Sequence, residues 1–330
     1  MSTANPPSQF LRSYLRGAGQ VFFMENAITG LFFLAAIFWA GYVEGQPSTA
    51  WGGAVGLLVA TLTALMIDSD DTAIGQGLFG FNGVLVGVAV PTFLADHPLM
   101  WLYLVIGAAA STVVLEAFNN VVTKLWGVAA STGPFVLTTW ILMLAAYSFS
   151  TVPIAGMGPP KLPMPNLDQA PLILGGMDIL LVLLKNISQV FLLDNPVSGI
   201  LIVIGIFFED WKAGIAAILG SIVALVFAWL FGASHHAIVN GLYGFSPVLT
   251  AIACGVIFLK PGWKTAFFAL LATIFTVIIQ GALDTLLAPV GIPTFTAPYV
   301  LAMWLFTLPK KELAPHPHAP RSDTKLNADS

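Results

Sequence analysis

Apolar residues in this chain come in long unbroken runs rather than in the alternating or one-sided stripes of soluble strands and helices. Runs long enough to cross about 30 Å of hydrocarbon at 1.5 Å per residue recur along the whole length. They predict helices near 21–43, 51–67, 83–95, 99–121 and 134–150, then near 189–208, 213–231, 247–259, 264–283 and 298–309. Helices are expected because a bilayer offers no partner to a backbone N–H or C=O, so each segment must satisfy its own.

Two stretches break the pattern, one near 68–82 containing DDTAIGQGLFGFN and one at 233–246 reading ASHHAIVNGLYGFS. They are too short, too polar and too Gly-rich to span, and read as re-entrant half-helices. Such backbone survives at membrane depth only when buried in protein or lining a wet cavity. Gly80-Phe81 and Gly244-Phe245 fall where the chain turns, with Asp68, Asp70 and Asp71 as helix caps. Thr132-Gly133-Pro134 and Thr296-Ala297-Pro298 open the last helix of each half, since proline suits a first turn.

The two halves are copies. QVFFMENAITG at 20–30 recurs as QVFLLDNPVSG at 189–199 with five of eleven positions identical, and GLFGFNGVLVGVAV at 77–90 as GLYGFSPVLTAIAC at 241–254 with seven of fourteen. TVVLE at 112–116 pairs with TVIIQ at 276–280, and STGPFVLTTW at 131–140 with FTAPYVLAMW at 295–304, all three at an offset of 164. General likeness between apolar helices does not hold one register across three blocks with Gly, Phe, Pro and Trp in fixed order. Five crossings per half is an odd number, so the second copy enters the membrane inverted, and the shared site of such repeats lies near the midplane at their interface.

Composition supports the membrane assignment: 57% of the 330 residues are hydrophobic and 8% charged, with a mean hydropathy of +0.88. A soluble surface cannot be covered by so few charges. A net charge of −4 without a basic stripe argues against nucleic acid. Cys254 is the single cysteine, which rules out a disulfide framework or thiolate cluster. With ten crossings and a cytoplasmic N-terminus, Arg12, Arg16, Lys124, Lys212, Lys260, Lys264, Lys310, Lys311, Arg321 and Lys325 fall inside and only Lys161 and Lys185 outside. Both termini are therefore expected in the cytoplasm, and no secretory signal is evident in the polar residues before Arg12. The expected organisation is a cytoplasmic segment 1–19, a first repeat 20–150, a Pro-rich external linker 151–187, a second repeat 188–309 and a flexible cytoplasmic tail 310–330.

Ionisable groups within the spans are scarce. Glu116 reads as the only carboxylate well inside one, opposite Gln280 in the repeat; it is either a functional intramembrane acid or a structural polar tie. His235 and His236 read as solvated loop residues, with no third metal ligand near in sequence.

QVFLLDNPVSG, GLFGFNGVLVG, GLYGFSPVLT and the TGPF element give the chain, over about 12–309, a resemblance to the urea transporter family of passive urea channels. It departs from that pattern in NAITG, which lacks the proline, in Tyr299, where the family element ends in Phe, and in Ser246, opposite Asn82. The resemblance implies an all-α polytopic membrane protein of two inverted repeats, each of five transmembrane helices plus a re-entrant half-helix, with a pore at the repeat interface. It implies a homotrimer in the cell inner membrane, each protomer conducting urea without a cofactor. Carried over residue by residue, the aromatic slots fall on Phe81 with Leu85 and Phe245 with Leu249, and the central hydroxyls on Thr132 and Thr296. The mouth polar groups fall on Gln20 and Gln189, with Phe23 near one mouth. A proton- or sodium-coupled transporter using Glu116 is the alternative, and a membrane-embedded enzyme is a more distant one for want of a nucleophile–base pair.

Overall fold

The computed structural model describes residues 7–165 and 172–309, and these contain helices but no β-strand. The tail from Lys310 lies outside the described residues. The first half comprises α1 (Pro7–Gly19), a tight turn Gln20–Phe22, α2 (Ala27–Val43), α3 (Pro47–Met66), α4 (Asp71–Gly75), α5 (Gly80–Phe93), α6 (Pro98–Phe118) prolonged to Trp126, and α7 (Gly133–Ala146). The second comprises α8 (Gly176–Ser188), a tight turn Gln189–Phe191, α9 (Pro196–Glu209), α10 (Trp211–Leu230), α11 (His235–Val239), α12 (Phe245–Ile252) prolonged to Ile257, α13 (Trp263–Leu287) and α14 (Ala297–Thr307).

The repeat is legible in the element boundaries. α8 and the turn after it recur 169 residues after α1 and its turn, whereas α10 and α11 recur 164 residues after α3 and α4. The five residues dropped from the second copy come out around the α9–α10 corner, where Asp210 alone joins the helices in place of Glu44, Gly45 and Gln46. Contacts between the halves obey the same exchange. Trp140 Nε1 donates to Pro293 O at 3.0 Å, and its repeat mate Trp304 Nε1 donates to Ala129 O at 2.8 Å. Thr29 Oγ1 donates to Gly205 O at 2.9 Å, and Ser198 Oγ to Ala36 O at 2.7 Å. Each pair is one bond repeated by a pseudo-two-fold axis, as expected of inverted repeats.

The ten expected spans take three forms. α3, α6, α10 and α13 are long and apolar enough to cross alone, α1–α2 and α8–α9 are pairs bent by 73° and 75°, and α5, α7, α12 and α14 are short apolar helices. At 1.5 Å per residue the 14 residues of α5 reach only about 21 Å, so each short helix needs the irregular segment before it to complete a crossing. The sequence reading took these four for full spans. It also missed α1 and α8, which fall in stretches read as a terminal segment and, but for Ser188, as a linker. α1 buries only Ser13, Gly17, Ala18 and Gly19, so small residues rather than an apolar run carry its packing.

The bends follow from local chemistry. Phe23 and Leu192 take left-handed backbone angles, φ 66° and 61°, and stop the tight turns. Asn26 and Asn195 then restart the chain, their Oδ1 atoms accepting from Ile28 N at 2.8 Å and Val197 N at 3.0 Å. The folded-back helix lies against its partner's backbone at Gly30 and Gly199, where a Cβ would stand 1.7 Å from Leu15 O and 2.3 Å from Leu184 O. α3 and α5 meet through Gly52, Gly56, Gly83 and Gly87 in the same manner, a membrane device for bringing backbones close. Gly30→Val should therefore force α1 and α2 apart and lower the detergent-solubilised protein's melting temperature, a loss of about 1–3 kcal/mol by overpacking. An unchanged melting curve would contradict this packing.

Candidate functional site

The polar groups nearest the pseudo-two-fold come from the two helix starts that the sequence singled out. Thr132 and Thr296 immediately precede α7 and α14, and neither hydroxyl caps its own helix. Ser131 and Phe295, one residue earlier, are left-handed at φ 49° and 48°, which turns the chain so that the threonines face each other. Thr296 Oγ1 donates to Thr132 Oγ1 at 2.7 Å, and both residues are 2% exposed. The usual fate of a membrane threonine, bonding back to its own helix, applies to neither. Phe22 and Phe191, also repeat mates, approach to 5.9 Å between ring centroids.

A cavity of about 840 Å³ leads to this pair. Exposed Asp70 and Glu209, with Glu25 and Asp210, lie at its solvent end; Phe81, Ser131 and Thr132 line its buried end. Its walls come from both halves, Phe23 and Phe79 from the first, Ile257 and Phe258 from the second. Phe23 sets its ring edge against Phe258 at 5.6 Å and Tyr299 at 6.1 Å, so an aromatic from one repeat is held by two from the other. The chemistry is that of a chamber for a small neutral solute: aromatic faces along the walls, hydroxyls at the closed end and no buried charge facing them.

Side-chain amides hold the broken backbone. Gln20 Nε2 donates to Gln76 O at 2.8 Å and Gln189 Nε2 to Asn240 O at 2.9 Å, tying each tight turn to the gap after α4 or α11. Asn82 Oδ1 accepts from Phe135 N at 3.0 Å and so satisfies the first turn of α7. Arg16 bonds Gly75 O at 2.9 Å and pairs with Glu25 at 3.6 Å; the repeat mates Lys185 and Asp194 pair at 2.8 Å.

Of the nine residues expected at the site, Gln20, Phe23, Phe81 and Thr132 line the cavity. Thr296 meets it through Thr132. Leu85 and Leu249 are fully buried, Phe245 and Gln189 nearly so, and these four are not among the cavity's lining. Asp70 caps α4, accepting from Ala73 N at 2.7 Å, and His236 bonds Asn240 at 3.0 Å. Glu116 is half-buried and outside the cavity lining, whereas Gln280 is buried and donates to Thr294 at 2.8 Å and Asp284 at 2.9 Å. Asp284, which accepts that second bond, lies on the last turn of α13, whose end at Leu287 is four residues beyond the expected one.

Sequence reasoning also missed Phe258, whose repeat mate Leu94 is not aromatic, and the contact of Ser131 Oγ with Tyr299 Oη at 2.5 Å. Tyr299 stood out as a departure from phenylalanine, but only the fold places a hydroxyl opposite it.

The repeat mates Asn82 and Ser246 should respond differently to alanine. Asn82→Ala strands the Phe135 N–H and should cost about 1–3 kcal/mol. Ser246 Oγ is buried without a partner, so Ser246→Ala should leave the melting temperature unchanged or raise it. Equal losses at both positions would contradict the assigned cap.

A family model described as UT: Urea transporter matches residues 11–311. Urea transporter 1 of Ovis aries is 30% identical over 303 residues, and urea transporter 1 of Rattus norvegicus 29%, each match covering 91% of this chain and 77% of the relative. A family match over nearly the whole chain, joined to paired broken helices around a pseudo-two-fold axis, means that this chain belongs to the urea transporter family.

Proposed function

We propose that the protein is a passive, channel-like conduit for urea, moving it down its gradient through a pore between the two halves of each protomer. The observation that carries this is the cavity ending at the bonded pair Thr132 and Thr296, with both repeats in its walls. Urea is flat, uncharged and rich in hydrogen-bonding groups. Between aromatic and aliphatic faces it can shed water while hydroxyls replace the lost bonds, each worth about 0.5–1.5 kcal/mol net. An ion faces a different balance. Its hydration is worth tens of kcal/mol, and the aromatic walls and hydroxyls at the buried end of the chamber, beyond the carboxylates of its mouth, return little of that.

Phe81 with Leu85 and Phe245 with Leu249 form the two slots in this proposal, the threonines the centre, and Gln20, Gln189 and Phe23 the approaches. Gln20 and Gln189 act there by shaping the mouths, since their amide nitrogens are engaged with backbone. The protomers form a homotrimer in the inner membrane, with both termini cytoplasmic and the 151–187 stretch external, as the family resemblance and the lysine and arginine distribution suggest. No observation favours coupling to protons or sodium: Glu116 lies outside the cavity lining. The family supports the transport reading.

Stopped-flow efflux from proteoliposomes tests the proposal. Urea should leave at a rate set by its own gradient and unaltered by imposed pH or sodium gradients; uphill accumulation driven by either would overturn it. Thr132→Val and Thr296→Val should each lower the flux several-fold. The double variant should lose more than either single one but less than their product, because the two hydroxyls are each other's partners. Wild-type flux in folded valine variants would remove the threonines from the pathway.

A further inference from the structure

The two faces of the central threonine pair differ in the contact that flanks it. Across the pseudo-two-fold, residue 131 corresponds to 295 and residue 135 to 299. On one face Phe295 meets Phe135, ring against ring at 5.2 Å. On the other face the same contact is made by Ser131 and Tyr299, hydroxyl to hydroxyl at 2.5 Å. The polar version lies on the side of the cavity, which Ser131 lines beside Thr132. Tyr299 itself is 0% exposed, with its ring against Phe23, and its hydroxyl meets the cavity through Ser131.

We propose that Tyr299 is a positioning residue that turns the Ser131 hydroxyl into a solute-binding group on one face only, so that the conduit binds urea more tightly from the cavity side than from the other. A phenol is a better donor than an aliphatic alcohol, so Tyr299 donates and Ser131 Oγ accepts. The Ser131 proton is then free to point into the cavity, where a urea carbonyl oxygen can accept it. Urea arriving from this side meets a donor before it reaches the threonines. Urea arriving from the opposite side meets two phenylalanine rings at the equivalent position. This inference rests on the urea-conduit reading and deepens it.

A passive conduit cannot pump, so the permeability at low concentration must be equal in the two directions whatever its internal asymmetry. The difference therefore resides in saturation. From the cavity side, half-saturation and maximal flux should both be lower by the same factor, several-fold, leaving their ratio equal in the two directions.

The test measures zero-trans urea flux against concentration in vesicles of fixed orientation, right-side-out and inverted, at low and saturating urea. The cavity side is identified by labelling Asp70→Cys with a membrane-impermeant thiol reagent. Wild type should show the several-fold difference in half-saturation, and Tyr299→Phe, which removes one oxygen from a buried ring, should abolish it while keeping the melting temperature near wild type. Ser131→Ala provides an independent removal of the same group and should abolish the asymmetry likewise. A merely structural Tyr299 would change flux equally from both sides. Urea flux that saturates identically from the two sides in wild type overturns the inference and leaves the conduit reading intact. So does an asymmetry that persists in folded Tyr299→Phe and Ser131→Ala. Absence of any urea flux in wild type overturns both.

Discussion

Backbone polar groups have no partner in hydrocarbon, and this fold repeatedly breaks its apolar helices. Everything else answers that constraint. A gap before α5, α7, α12 or α14 leaves N–H and C=O groups that must be met by side chains or by the other repeat. Gln20 and Gln189 meet the carbonyls after α4 and α11, Asn82 meets the first turn of α7, and Trp140 and Trp304 each cross to a carbonyl in the opposite half. The amide bonds hold each half's broken backbone, the two tryptophans bind the halves to each other, and the solute chamber has walls from both.

Duplication with inversion makes this arrangement economical, because one solution to the orphan-group problem serves twice. The solution is not copied perfectly. Ser246 stands where the first half has Asn82 and leaves its hydroxyl buried without a partner. Tyr299 and Ser131 place two hydroxyls where the other face has Phe135 and Phe295. A fold with symmetric scaffolding can therefore hold an asymmetric pathway, the difference residing in a few buried atoms rather than in the course of the chain.

Much of the architecture was legible in the sequence because it is written in features that survive divergence: apolar runs, the fixed offset of 164, and Gly, Pro and Thr at the breaks. The threonine pair emerged from the offset, from proline at each helix start and from the family resemblance, and the structure brings it to 2.7 Å. What stayed hidden was of two kinds. α1 packs through small residues beside Arg12 and Arg16, so hydropathy does not mark it, and the apolar run of α8 is short, lies between Asp178 and Lys185 and adjoins the Pro-rich stretch that reads as a linker. Phe258 in the cavity wall and the bond between Ser131 and Tyr299 depend on contacts between residues far apart in the chain, and neither has a repeat mate of the same chemistry to announce it.

The central claim is that urea passes between the halves at the threonine pair. It is tested most directly by closing that point: replace both Thr132 and Thr296 with cysteine, reconstitute the protein, and measure urea efflux before oxidation, after oxidation and after reduction. The account predicts that the double variant conducts when reduced, stops conducting once mass analysis verifies the disulfide, and recovers with reductant, while neither single variant responds. Undiminished efflux through verified, disulfide-closed protein would contradict it.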